Sequence, residues 1–208
     1  MTSLINNSKS TLFVAAAVAV VSFASARVDA ALIVVSNNVV FDSIVASMNG
    51  SVLHEDFDNY DGFYASGLAG GSGDSSWVAT ADGGLYAIPG IMSTNLAGRA
   101  LTLSFASDNV FALGGDFFNT DINFGDAGGL VELAVAGVSY VYSAASDTDF
   151  AGFLSTSGSI DSITFVPFGP AGASTYASAR SVSVGVIPSP AVLALGALAG
   201  VVTRRRRN

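Results

Sequence analysis

The chain has no cysteine and few basic groups, and each absence excludes a class of protein. Without cysteine among its 208 residues, neither a disulfide framework nor a thiolate metal site can form. Lys9 is its only lysine and His54 its only histidine, so further along the chain the available catalytic bases are carboxylates and one imidazole. Neither a G-x-S-x-G nucleophile elbow nor an H-E-x-x-H helix occurs. We therefore expect no enzymatic activity.

Positive charge is nearly missing between the two ends. Charged residues make up 12% of the chain, about half of the fraction usual in soluble domains. Residues 31–189 hold 15 acidic side chains and two basic ones, Arg99 and Arg180, which gives −13 against −8 for the whole chain. A domain with this charge repels nucleic acid and anionic lipid surfaces. Cations and neutral sugars remain as compatible ligands.

Residues 1–30 have the pattern of a secretory signal peptide. Lys9 precedes an apolar stretch from Leu12 to Phe23, and small residues follow it. Cleavage after Ala26 and cleavage after Ala30 both fit the small-residue rule. The apolar run is shorter than the roughly 20 residues of a membrane span, which favours a cleaved signal over an uncleaved anchor. The translocon and signal peptidase are the partners that this segment predicts.

Residues 187–208 consist of three parts in a fixed order. These are Pro188-Ser189-Pro190, an apolar stretch from Ala191 to Val202, and the cluster Arg204, Arg205, Arg206 and Arg207. As a helix, the apolar stretch is about 20 Å long, short of the roughly 30 Å hydrocarbon core. The arginines favour the cytoplasmic side of the membrane. We expect a marginal transmembrane helix that anchors the protein transiently in the inner membrane.

This tail resembles the PEP-CTERM sorting signal, in which a Pro-Glu-Pro-like tripeptide precedes a short apolar helix and an arginine cluster. The resemblance covers residues 188–208, with Ser189 where glutamate is usual and both prolines retained. It implies processing near the tripeptide by an exosortase, a membrane-embedded cysteine protease, and a final location at the cell surface or outside the cell. The serine affects either how efficiently the signal is processed or which subtype of the enzyme processes it.

Residues 31–186 predict one domain that is mainly β. Phe41, Ile44, Val45 and Met48 have helix-face spacing, with Asn37 or Asn38 as the cap and Asn49-Gly50 as the end. Later segments alternate between apolar and polar residues: ALTLSFAS, GLVELAVAG, SYVYS, FAGFLS, SIDSITFVP and ARSVSVGV. Many short alternating runs predict an antiparallel β-sandwich or barrel. We expect GLAGGSGDSS, residues 67–76, to be a flexible loop before the strand with Trp77.

An acidic stretch, HEDFDNYDG, offers candidate calcium ligands. Glu55, Asp56, Asp58 and Asp61 supply hard oxygen atoms, and Gly62 allows a sharp turn. The spacing does not fit an EF-hand, so a structural calcium ion near Glu55 and Asp56 competes with a plain solvated turn. No other cofactor is expected.

Aromatic side chains are candidates for stacking on sugar rings. Trp77, Tyr60 and Tyr64 lie near the loop-like stretch, and Tyr86, Tyr140 and Tyr142 are further candidates. A Trp77 buried in packing is the alternative to a Trp77 that serves as a binding platform. The predicted core phenylalanines are Phe105, Phe111, Phe117, Phe118, Phe124, Phe150, Phe153 and Phe165.

The body, residues 32–186, also resembles the ectodomains found on proteins with this signal. The similar segments are FDSIVASMNGSVLHEDFDNYDGF, FALGGDFFNTD and FAGFLSTSGSIDSITFVP. The resemblance implies a jelly-roll or lectin-like β-sandwich. Related sandwiches often have an Asp-Asn pair in the final strand, where the aspartate joins a calcium site; here that place reads Ala179-Arg180-Ser181, which weakens the calcium hypothesis.

Together these patterns predict an exported cell-surface or extracellular-matrix protein with a structural role. The first alternative is a carbohydrate-binding module that contacts extracellular polysaccharide. A glycoside hydrolase is a second alternative, and it requires two carboxyl groups about 5–10 Å apart in a cleft.

Overall fold

A computed structural model describes residues 32–144, 146, 148–156, 158–170 and 173–187. The elements in these ranges are β1 (Leu32–Val35), α1 (Asn38–Ser47), β2 (Ser51–Glu55), β3 (Gly62–Tyr64), β4 (Leu68–Gly70), a 3₁₀ turn (Gly73–Ser75), β5 (Trp77–Ala81), β6 (Leu85–Ile88), β7 (Ile91–Thr94), β8 (Leu101–Phe105), β9 (Val110–Thr120), β10 (Leu130–Val135), β11 (Val138–Ser143), β12 (Phe150–Ser155), β13 (Ser162–Phe168) and β14 (Tyr176–Val186). The expected signal peptide and sorting segment lie outside the described residues. Within the described ranges, no helix is long and apolar enough to cross a membrane.

The strands pair antiparallel in two sheets. Sheet A has the order β1-β12-β9-β14-β7-β6-β3, and β2 also pairs with β14. Sheet B has the order β11-β10-β13-β8-β5-β4. The prediction of a mainly β domain with antiparallel strands is confirmed, and the arrangement is consistent with a β-sandwich.

The main hydrophobic core is built from side chains of both sheets. Phe117 on β9 and Phe165 on β13 bring their ring centroids to 5.2 Å, which joins sheet A directly to sheet B. Five of the predicted core phenylalanines are buried: Phe111, Phe117, Phe118, Phe153 and Phe165. Phe105, Phe124 and Phe150 are only partly buried. Each large apolar side chain buried in this way contributes about 1.5–3 kcal/mol.

A smaller core forms where α1 packs against the other face of sheet A. Phe41 and Val45 of α1 are fully buried there, and Phe41 meets Phe150 edge-on at 5.6 Å. Ala112 belongs to this small core whereas its neighbour Leu113 belongs to the main one, because successive strand residues face opposite sides. Sheet A is therefore covered on both faces near the helix.

The predicted helix is confirmed, with Asn37 as its cap. The Asn37 side-chain Oδ1 accepts a hydrogen bond from the Val40 backbone N–H at 3.1 Å, and Asn37 itself is extended. This bond satisfies one of the amide groups that have no partner in the first turn of a helix. At the other end, Asn49 adopts a φ of 58°, and helix α1 ends at Ser47 as the Asn-Gly pair predicts.

The prediction of a loop over residues 67–76 is wrong in part. Leu68–Gly70 forms β4 and pairs with β5, and Gly73–Ser75 makes a 3₁₀ turn. Gly70 is required there, because a Cβ atom at this position would lie 2.4 Å from Cζ2 of Trp77. A run of three residues is too short to show the alternation that predicts a strand. It is nevertheless long enough to pair with an available strand edge.

Replacing Asn37 with alanine should lower the free energy of unfolding by about 1 kcal/mol, since the helix loses its side-chain cap. Asn38→Ala is the matched control: it changes the same residue type one position along and leaves the cap in place. Chemical denaturation of the two variants measures the difference. Equal destabilisation by both changes would show that the cap is not the cause.

Candidate functional site

The acidic stretch does not gather its carboxylates around one point. Glu55 Oε1 accepts a hydrogen bond from the Phe57 backbone N–H, and Asp56 Oδ1 accepts one from the Asp58 N–H, each at 3.1 Å. These bonds fold the loop between β2 and β3 on itself, and they bury Phe57 with a φ of 60°. Among the described residues, no three His, Asp or Glu side chains form a group that could hold a metal ion.

Arg180 shares a cleft with the central part of this acidic loop. Asp56, Asp58, Asp116 and Arg180 line an open depression of about 490 Å³. Arg180 is the one basic side chain among the described residues that line this cleft, so it supplies positive charge where the sequence suggested a bound cation. Its charge offsets part of the repulsion among the carboxylates.

A β-bulge places Arg180 in this position. The register of β14 against β9 shifts between Ala179 and Ser181, which leaves Arg180 as the extra residue. The guanidinium carbon lies 6.0 Å from the centroid of the Phe118 ring, within cation–π distance. Next to it, the Ser181 hydroxyl donates to Asp116 Oδ2 at 2.8 Å. The Ala-Arg-Ser segment is thus an electrostatic centre of sheet A.

Arg180→Gln should lower the free energy of unfolding by about 1–2 kcal/mol at low salt, and by less at high salt, because the three carboxylates lose their common counter-charge. Arg99→Gln is the control, since Arg99 pairs with Asp82 at 3.4 Å where both side chains are more than half exposed. Exposed pairs of that kind contribute little, so the control should change stability by about 0.5 kcal/mol or less. Urea denaturation at two salt concentrations would separate the variants, and equal effects would contradict the role of Arg180.

The residues first considered for sugar stacking form a packing cluster instead. Trp77 is only 1% exposed and packs edge-on against Phe57 at 5.8 Å and against Tyr60 at 6.1 Å. Tyr60 in turn contacts Tyr64 at 6.5 Å, and both tyrosines are partly buried. A sugar ring has no access to the buried indole face. The burial of Trp77 removes the main support for a binding platform at this place.

His54 contacts both a serine and an aspartate. Its Nδ1 lies 2.9 Å from Ser183 Oγ, and its Nε2 lies 3.6 Å from Asp42 Oδ2 on α1. These are the residue types of a hydrolytic triad, but Ser183 is 3% exposed within the centre of β14. A nucleophile must reach a substrate carbon, which the burial of this hydroxyl prevents. The contacts instead link β2, α1 and β14.

A second cleft, of about 610 Å³, brings two carboxylates next to a pair of tyrosines. Asp116, Tyr140, Tyr142 and Asp149 line it, and the two tyrosine rings stack at 6.1 Å. The Tyr142 hydroxyl donates a hydrogen bond to the Phe117 carbonyl oxygen. Burial raises the pKa of Tyr142 well above its ordinary value, and the negative charges of Asp149 and Asp116 raise it further. Tyr142 therefore stays protonated and keeps donating at neutral pH.

The free energy of unfolding should fall as the pH rises above about 10, where tyrosine in the unfolded chain ionises while folded Tyr142 holds its proton. The folded pKa is raised, so this contribution is fully present below the unfolded pKa and is lost above it. Tyr142→Phe should show a smaller decrease and should cost about 1 kcal/mol at neutral pH for the lost hydrogen bond. Denaturant titrations from pH 8 to pH 11 test this. Tyr140→Phe leaves Tyr142 in place, so its free energy of unfolding should fall with pH as that of the unchanged protein does.

A third cleft, of about 460 Å³, lies on the face of sheet A that is opposite the main core. Tyr86, Ser93, Asn95, Asp121, Phe124 and Tyr176 are among its lining residues, and we call it the outer-face cleft. Leu85 and Ala87, the neighbours of Tyr86, belong to the main core, so Tyr86 points the other way. The rings of Tyr86 and Phe124 lie 5.8 Å apart and are tilted by 48°.

Tyr86 is the one candidate for sugar stacking from the sequence that lines this cleft. Phe124, which was expected in the core, lies in the loop between β9 and β10 with a φ of 63°, where it is partly buried and packs against the main core. The signal that marks the loop is local: Asp121 Oδ1 accepts hydrogen bonds from the backbone N–H groups of Asn123 and Gly125 at 2.8 and 2.9 Å. Aspartate followed by Asn and Gly is typical of such turns.

Comparison of the sequence with protein-family models finds no match, and comparison with curated proteins finds none either.

Proposed function

We propose that the protein is an exported component of the cell surface or extracellular matrix, sorted by an exosortase-type system, with a structural and non-enzymatic role. Its partners in this proposal are the translocon, signal peptidase and the exosortase-type enzyme. One observation carries the proposal: the cleavage points suggested by the sequence lie on either side of the described fold.

At the N-terminal end, β1 begins at Leu32 and pairs with β12 from Leu32 to Val35. Cleavage after Ala26 or Ala30 would leave this edge strand whole. At the C-terminal end, β14 runs to Val186, and the Ile187 N–H donates to the Asn109 carbonyl oxygen at 3.1 Å. Pro188-Ser189-Pro190 comes immediately afterwards, so removal of the tail would leave all the described strands in place.

The absence of enzymatic activity is part of the same proposal. The single imidazole is engaged with Asp42 and a buried Ser183. The cleft with Asp116 and Asp149 is where a carboxylate-based hydrolase would be sought, but both carboxylates act on Tyr142, whose hydroxyl is bonded to the backbone. These arrangements favour structural roles for the groups that could otherwise perform catalysis.

A jelly-roll or lectin-like sandwich is the finer fold that we propose. In support, neighbours in the sheets are far apart in sequence, as where β14 lies between β9 and β7 and where β8 lies between β13 and β5. Such crossings between two antiparallel sheets are typical of Greek-key sandwiches.

Carbohydrate binding is the second candidate function. The outer-face cleft favours it, because two aromatic rings and several polar side chains share one open depression of ligand size. Trp77, Tyr60 and Tyr64 no longer support this function.

The mature ends of the protein test the sorting proposal. Mass spectrometry of protein recovered from the surface of the producing cell should show a new N-terminus at Arg27 or Ala31 and a C-terminus near Pro188-Ser189-Pro190. Replacing Arg204 to Arg207 with alanines should leave the precursor uncleaved at its C-terminal end, whereas Arg99→Ala in the folded body should be processed normally. An intact arginine cluster on the surface-exposed protein would overturn sorting by cleavage.

A further inference from the structure

We propose that the outer-face cleft is a binding site for a neutral oligosaccharide. The rings of Phe63, Tyr86 and Phe124 would stack on sugar rings, while Asn95, Asp121 and Tyr176 would supply hydrogen bonds. This proposal deepens the second candidate function and does not depend on how the protein is sorted.

The aromatic residues form a strip that is longer than the cleft. Phe63 on β3 lies directly opposite Tyr86 on β6, so both side chains are on the outer face of sheet A. They are 53% and 39% exposed, respectively. Phe124 adds a third ring 5.8 Å from Tyr86. Three rings in a row offer an apolar surface longer than a single compact ligand covers, which favours a chain of sugar units.

Backbone geometry fixes the outer end of this strip. Gly84 has a φ of 86°, and a Cβ atom there would lie 2.8 Å from Cε2 of Phe63. The Phe63 ring therefore lies over the glycine, which leaves room for it against the backbone. A ring held in this way loses little side-chain entropy when a ligand stacks on it.

The floor and wall of the cleft are polar. Ser93 on β7 lies directly opposite Tyr86 on β6. Its hydroxyl is hydrogen-bonded to Ser178 Oγ at 2.8 Å, and Ser178 Oγ is hydrogen-bonded to Thr120 Oγ1 at 2.7 Å. These buried hydroxyl groups hold β7, β9 and β14 together beneath the rings. At the wall, Asp121 Oδ1 is occupied by two backbone N–H groups, and these bonds set the position of the carboxylate before any ligand arrives.

The charge of the site selects among ligand classes. Asp121 is the one charged side chain among the described residues that line the cleft, and no Lys or Arg lines it. An anionic ligand would find no counter-charge there, in a domain that is already strongly acidic. A quaternary ammonium ion could use the rings and the carboxylate, but it would leave the Phe63 end of the strip and the hydrogen-bonding groups unused. A neutral polyol with apolar C–H faces can contact the whole strip of rings and also the hydrogen-bonding groups.

The test is a binding screen of the full chain on an array of neutral and anionic oligosaccharides, followed by titration calorimetry with the best neutral probe. We expect neutral oligosaccharides to bind, and Tyr86→Ala and Phe124→Ala each to weaken binding by about tenfold. Phe168→Ala is the matched control, because Phe168 is 47% exposed on β13 in the other sheet. It should leave binding unchanged.

Two further measurements keep the result interpretable. Tyr86→Leu retains an apolar side chain for strand packing and removes the aromatic face, so weaker binding by this variant with an unchanged melting temperature indicates lost stacking. Asp121→Asn keeps the Oδ1 acceptor of the turn and removes the charge. Neutral oligosaccharide binding should survive this change within a few-fold, whereas binding of tetramethylammonium should not.

Binding of tetramethylammonium without any neutral oligosaccharide would overturn the proposal, as would equal losses in Phe168→Ala and Tyr86→Ala. An array with no neutral ligand would also overturn it. That outcome would leave the proposal of exosortase sorting standing, because the mass of the mature C-terminus decides sorting independently.

Discussion

The pairing of β14 with β9 is the constraint on which the rest of the structure depends. The two strands run together from Tyr176 opposite Thr120 to Val186 opposite Val110. On its other edge β14 pairs with both β7 and β2, so three strands of sheet A, β9, β7 and β2, take their positions from one strand. The bulge at Arg180 divides this strand into a half beside the aromatic cleft and a half beneath helix α1.

The outer face of sheet A contains three different environments as a result. Helix α1 covers one end, and His54 joins that end to β14 through Ser183. Arg180 lies in the middle with the acidic loop, and the exposed rings around Tyr86 lie at the far end. The inner face is more uniform, because strands of both sheets contribute apolar side chains to the same core.

Packing and hydroxyl pairs take the place of disulfides and ion pairs in this chain. Thr102 and Thr164 meet across β8 and β13 at 2.9 Å, and the Ser93, Thr120 and Ser178 hydroxyls are joined across sheet A. Such neutral bonds avoid the desolvation cost of buried charges. They explain how a domain with few basic residues holds its strands together, and they leave the excess of carboxylates at the surface and in loops.

Much of the local structure follows from the sequence alone, because it depends on neighbours in the chain. Asn37 caps a helix whose apolar residues recur at helical spacing, and the alternating runs become strands. The runs in β12 and β14 are nevertheless buried on both faces. The short strand at Leu68–Gly70 was missed because three residues, of which only Leu68 is large, are too few to show alternation. Its pairing comes from the available edge of β5. The acidic loop was recognised from its residues, but only the family resemblance pointed to Ala179-Arg180-Ser181 as the segment beside it.

The candidate sites belong to the tertiary structure. Asp56 and Arg180 share a cleft although more than 120 residues separate them, and Tyr86 shares another with Tyr176. The alternation of apolar and polar residues along a strand predicts which side chains face away from the core, but it does not predict which strand lies alongside. The sequence by itself determined the β class, the helix, the charge and the expected export signals, since these are properties of contiguous segments. The tertiary structure decided the burial of Trp77, the position of Arg180 and the aromatic cleft, because strand order brings distant residues together.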